Sequence, residues 1–157
     1  MKVHVRSLLK DQLLANANDR SWYISYQEVV EGLTDDEAFW KPNEQTHSIA
    51  EITQHLIYWN EVWQERYEKA DLHVIETVED NAESFFVTNG NDFEKLKEKL
   101  LRVLLSWQEL LSDNQQLDTN VNGFPVKAKW WELIGNATTH NAYHIGQIAY
   151  IRKLIHT

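Results

Sequence analysis

Apolar residues recur along most of this chain at spacings of three and four, the mark of helices that each have one face to bury. The clearest stripe is Phe93, Leu96, Leu100, Leu104, Trp107 and Leu111, with lysines and glutamates on the remaining faces. It opens at Asn91-Asp92-Phe93-Glu94, where side-chain oxygens stand ready to accept from free backbone N–H groups, just after a turn at Asn89-Gly90. Earlier, Ser48-Ile49-Ala50-Glu51 has the form of a capping box, and Ile49, Ile52, Leu56, Trp59 and Trp63 carry an apolar face from there to about Tyr67. Near the C-terminus, Trp130, Leu133, Ile134, Ala137, Ile148, Ile151, Leu154 and Ile155 predict a helix from about Ala128 to Ile155. Gly146 stands inside it, at a cost of about 1 kcal/mol relative to Ala. Close approach of another helix, or room beside His144, would account for it.

The N-terminal pattern is less regular. Leu8, Leu9, Leu13, Trp22, Tyr26, Val29, Val30 and Leu33 predict a helix from about Val5 to Leu33, interrupted in its stripe by Asn16, Asn18 and Asp19 and ended at Gly32. Thr34-Asp35-Asp36-Glu37 is a further capping box, opening a short turn that stops near Trp40-Lys41-Pro42. Residues 70–89 show no clean period and read as a long connection that holds a short helix. The stretch from Ser112 to Lys127, with Asn122-Gly123 and Pro125, is polar and turn-rich and carries a weak hairpin signal. Four substantial helices with long links between the second and third and between the third and fourth predict an all-α four-helix bundle, one domain over residues 1–157.

Composition narrows the chemistry. With no cysteine, disulfides, thiolate metal sites and a cysteine nucleophile are excluded. A formal net charge of −9 argues against nucleic acid as the main partner. No apolar run approaches the roughly 20 residues that span a bilayer, and Met1-Lys2-Val3-His4-Val5-Arg6 leads into an amphipathic pattern, so the expectation is a soluble, cytoplasmic protein with no membrane partner. The seven tryptophans suggest a core or a cavity with large aromatic walls.

Candidate chemistry lies in the last helix. His140 and His144 are four residues apart, one turn on the same face, and fall in the stripe with Leu133, Ala137 and Ile151. Such a pair can grip one metal ion. Asn141 stands where the metalloprotease pattern H-E-x-x-H has its general base, so that reading fails. A third imidazole comes from His55, on the edge of the second helix's apolar face. Three neutral imidazoles with an open fourth position would let a metal-bound water or thiol act as the reactive group. Zinc or nickel suits that set best, and manganese and iron also accept it. His4, His47, His73 and His156 read as surface histidines. Glu51, one turn before His55, could accept its second N–H, although the capping box explains it more simply. Asn141 and Gln147 could orient a ligand, and Tyr58, Trp59 and Tyr143 could line a cavity or fill the core.

Two runs carry a family likeness. His47-Ser48-Ile49-Ala50-Glu51-Ile52-Thr53-Gln54-His55-Leu56-Ile57-Tyr58-Trp59 and the stretch from Trp131 to Ile148 containing His140-Asn141-Ala142-Tyr143-His144 resemble the two signatures of the DinB/YfiT-like family of bundle metalloproteins. Their order and separation fit over nearly the whole chain. The resemblance implies a right-handed four-helix bundle with up-down-down-up connections, a homodimer, and one divalent ion on His55, His140 and His144. It also implies low-molecular-weight-thiol-dependent S-transfer to electrophilic small molecules, since several such proteins use glutathione, mycothiol or bacillithiol. The alternatives are a metal-dependent hydrolase, a non-catalytic bundle stapled by its ion, and a metal-free binding module.

Overall fold

A computed structural model describes residues 4–19, 21–88, 90, 92–112 and 115–155. Asn89 and Asn91, parts of the expected turn and helix start, lie outside the described residues, as does His156. The regular elements of the described chain are helices, with α1 at Val5–Ala17, α2 at Tyr26–Val30, α3 at Asp35–Phe39, α4 at Ile49–Lys69, α5 at Phe93–Leu110 and α6 at Trp130–Ile155. Two short 3-10 turns, Asn81–Phe85 and Gln116–Asp118, sit in the links.

Side-chain caps decide where most of these helices begin. Thr34 and Glu37 form one reciprocal box and Ser48 and Glu51 another, as the sequence predicts, while Asp92 Oδ1 accepts from Lys95 N at 3.2 Å to start α5. The expected helix from Val5 to Leu33 is two helices. Asn18 and Asp19 both turn back on the Leu14 carbonyl, and Ser25 Oγ then accepts from Glu28 N at 3.3 Å to cap a new start. Asparagine and aspartate end the first helix because their polar side chains favour non-helical backbone, with no glycine or proline needed. The signal for α2 was present in Ser25-Tyr26-Gln27-Glu28, a further Ser-x-x-Glu start. Gly32, at φ +73°, takes the left-handed conformation that ends this pair of turns.

α4 packs on α5 and α6, and α1 packs on the same two helices, so the four long helices close a ring in the order α1, α5, α4, α6. One core fills the end near α2 and α3, around Tyr26, Ile49, Leu56, Leu100 and Ile148. A second fills the other end, around Leu13, Tyr67, Trp107, Leu111 and Trp130. Tryptophan does not uniformly go inward. Trp107 and Trp130 are buried, but Trp22, in the link between α1 and α2, is 97% exposed. The weak hairpin signal after α5 reduces to a single antiparallel bridge, Asn120 with Lys129, around Gly123 at φ +78°. Gly146 also departs from expectation. A Cβ there would meet no heavy atom within 4 Å, so neither a crossing helix nor crowding at His144 requires glycine. Among the described residues, no helix is long and apolar enough to cross a membrane.

Candidate metal centre

The box at Ser48 fixes the start of α4, and two turns later that helix turns His55 inward, 2% exposed. α6 brings His144, also buried, and the half-buried His140 from the opposite side. The register between the two helices is set one step deeper by a pair of buried amides. Asn60 Nδ2 donates to Asn141 Oδ1 at 2.7 Å, and Asn141 Nδ2 donates back to Asn60 Oδ1 at 3.2 Å. Trp107 Nε1, from α5, donates to Asn60 Oδ1 at 2.9 Å, and the second N–H of Asn60 goes to the Leu56 carbonyl at 2.8 Å. A fully paired amide in a core holds its neighbours in one arrangement, because any slip leaves a buried polar group without a partner.

The three imidazoles meet. His55 Nε2 lies 3.1 Å from His140 Nε2, and one ring nitrogen from each of the three histidines can be chosen so that all lie within 4.8 Å of one another. Their tautomers follow from what holds their far sides. Ser84 Oγ donates to the Asn81 carbonyl at 2.5 Å, so toward His55 Nδ1, 2.7 Å away, it accepts. His55 therefore carries its proton on Nδ1 and turns the Nε2 lone pair inward. Gln147 Oε1 accepts from His144 Nδ1 at 2.6 Å, with the same result. Lone pairs facing one another need a proton or a cation between them, and a ligating histidine is ordinarily oriented through its other nitrogen in this way. The donor set thus fits a divalent ion.

Burial keeps these rings neutral. It lowers His55 to about 3, with the nearby His144, His140 and His47 lowering it further, and it lowers His140 to about 4 with His144 adding to the effect. His144 is also lowered by burial, against the Gln147 hydrogen bond that raises it. Neutral imidazole is the form that ligates.

The remaining predicted residues divide. Trp59 lines the cavity over the histidines and donates from Nε1 to Asn81 Oδ1 at 3.0 Å. Tyr143 stands at its rim, 64% exposed and edge-on to His144. Gln147 orients His144, and Asn141 spends its amide on Asn60, so neither faces a ligand as its main partner. Tyr58 is not part of the cavity wall, and its hydroxyl accepts from Val78 N at 2.8 Å. Glu51 does not reach His55. Its carboxylate closes the capping box with Ser48 N at 2.8 Å and pairs with Lys41 at 2.6 Å.

Sequence reasoning passed over Ser84, Phe85 and Asn60. Ser84 and Phe85 belong to the 3-10 turn Asn81–Phe85, whose own Asp80-x-x-Glu83 box was legible but whose destination was not. Phe85 stacks flat on His55 at 4.0 Å, and its other face stacks on His47 at 3.8 Å, so the exposed His47 has a structural part at the site's edge. Asn60 continues the stripe Ile52, Leu56, Trp63 as its one amide, and that break in polarity was the available signal. The cavity above the histidines measures about 500 Å3, with Trp59, Trp63, Phe85, Phe124 and Leu133 in its walls.

Comparison with known proteins bears on the fold and the family. A DinB-like protein from Bacillus subtilis, YjoA, has a similar fold, with a TM-score of 0.60 over 96% of this chain and 93% of that one, at 19% identity. No curated protein matches the sequence. The family model described as the DinB superfamily matches residues 19–148, a span that takes in all three histidines, and the chain belongs to that superfamily.

Proposed function

We propose that the protein is a divalent-metal enzyme that joins a small thiol, through its sulfur, to an electrophilic small molecule, the thiol proton and any leaving group departing to solvent. The observation that carries this reading is the set of three neutral imidazoles, His55, His140 and His144, converging at the floor of an open aromatic cavity. When bound there, zinc or nickel would supply Lewis acidity, which makes a thiol or water at its open position more acidic. Ser84 and Gln147 hold two of the three rings in the ligating tautomer. Trp59, Trp63 and Phe85 line the cavity beside these rings. With no cysteine in the chain, sulfur must arrive with a cosubstrate.

Thiol transfer is favoured over hydrolysis by what the walls lack. No carboxylate lines the cavity among the described residues, so either nucleophile would depend on the metal's Lewis acidity to lose its proton. A thiol, with an ordinary pKa of about 8.5, needs far less acidification than water at about 15.7. A purely structural ion is disfavoured because no fourth His, Cys, Asp or Glu joins the three-histidine group among the described residues. The proposal extends to a homodimer, supported by the exposed Tyr143 and Tyr150 beside a groove with Pro42, Ile52 and Leu154.

Purification without tag or chelator, followed by metal analysis, is the deciding experiment. The expected result is about one divalent ion per chain, lost in His55→Ala, and thiol transfer abolished in His144→Ala with the helical circular dichroism unchanged. Full activity in the metal-free protein would overturn the proposal.

A further inference from the structure

We propose that the cavity over the three histidines selects a ligand with an uncharged, ring-containing body and a single anionic donor atom, a thiolate under the functional reading on which this rests. Asp, Glu, Lys and Arg make up 25% of the chain, yet among the described residues none of them lines this cavity. Its walls are the rings of Trp59, Trp63, Phe85 and Phe124 with Leu133 and Ala137, a surface that rewards flat apolar area.

The deeper polar groups in those walls are turned on one another, while Asn136 and Tyr143 stand exposed at the rim. Asn60 uses both its N–H groups on Leu56 and Asn141, and its oxygen accepts from Trp107 and Asn141, so it has nothing left for a ligand. Asn81 Oδ1 is taken by Trp59 Nε1. A charged group on the ligand body would lose water here and meet no ion-pair partner in the walls. The net charge of −9 works further against an anionic body.

The floor makes the opposite demand. Three neutral imidazoles bring no negative charge to a divalent ion, and no carboxylate belongs to the group. Charge balance at the ion is therefore left to the ligand's own donor atom. Zwitterionic peptide thiols satisfy the floor and not the walls, whereas an aryl or alkyl-ring thiol satisfies both.

The test loads the protein with Co2+, whose visible absorption reports uptake and whose sulfur-to-metal charge-transfer band reports thiolate ligation. The loaded protein is titrated with 4-methylbenzenethiol and with 4-mercaptobenzoate, two probes of one ring and one thiol position that differ in body charge, with each affinity corrected for that thiol's ionisation. The methyl compound is expected to bind at least about tenfold tighter, a modest fraction of what desolvating a carboxylate costs. Asn136 is an exposed wall position on α6, and Asn136→Lys is expected to bring 4-mercaptobenzoate to within about threefold of the methyl compound by placing an ammonium in the wall. Equal or tighter binding of 4-mercaptobenzoate by the unaltered protein, or cobalt uptake without a charge-transfer band for either thiol, would overturn this proposal and leave the metal centre standing. Failure to take up cobalt would overturn the metal centre itself, and this proposal with it.

Discussion

Ser84 shows how much of a three-histidine site rests on residues that would never touch an ion held there. Its hydroxyl proton is committed to the Asn81 carbonyl, so its lone pair faces His55 and selects the tautomer. Ser84→Ala removes that selection and frees the ring to protonate on either nitrogen. Metal affinity in a competition titration is expected to fall about 10- to 100-fold, with helix content unchanged. An unchanged affinity would show that packing against Phe85 alone orients the ring. The depressed histidines also make a pH prediction for the metal-free protein. Unfolded, His55 and His140 take up protons below about 6.5, but folded they resist until about 3 and about 4. Between those limits the unfolded state binds more protons, so stability is fully present above about pH 6.5 and falls as the pH drops toward 4. Thermal melts across this range are expected to show a shallower slope for His55→Gln/His140→Gln than for the unaltered protein.

At the scale of elements, the site depends on how α4 and α6 are locked together. The Asn60–Asn141 pair does this at a depth where water does not compete, with Trp107 tying α5 into the same network. Asn60→Ala leaves the Trp107 indole N–H and the Asn141 amide without partners and is expected to destabilise the fold by about 1–3 kcal/mol in urea titrations. Because the pair lies beside His140, the same variant is expected to weaken metal binding, whereas a purely stabilising pair would leave affinity unchanged. Helix starts were the most legible elements, since Thr34, Ser48 and Asp92 cap as their sequences indicate. The break after Ala17 was misread because the apolar pattern runs on through Trp22 and Tyr26, and only the paired cues of Asn18 and Ser25 interrupt it.

For the molecule as a whole, the ring of four long helices places one cavity where α4, α6 and the link between α4 and α5 meet. That long link contributes a wall. Asn81, Ser84 and Phe85 each contact a residue on α4, through Trp59 and His55, so a segment with no periodicity of its own completes the site. Its functional weight could not be read from pattern, because a 3-10 turn buries few residues and leaves little periodic trace.

Helical class, the main cap positions and the pairing of His140 with His144 were legible in the residues themselves, because each depends on local spacing: apolar residues every third or fourth position, Ser or Thr three before Glu, and two imidazoles one turn apart. His55 stood only as a candidate on a second helix. Tertiary structure alone decided what those histidines face. Ser84 reaches His55 across 29 residues and Asn141 reaches Asn60 across 81. Contacts over such separations are set by how helices pack and where a link returns, and neither quantity is carried by the residues on either side of a single position.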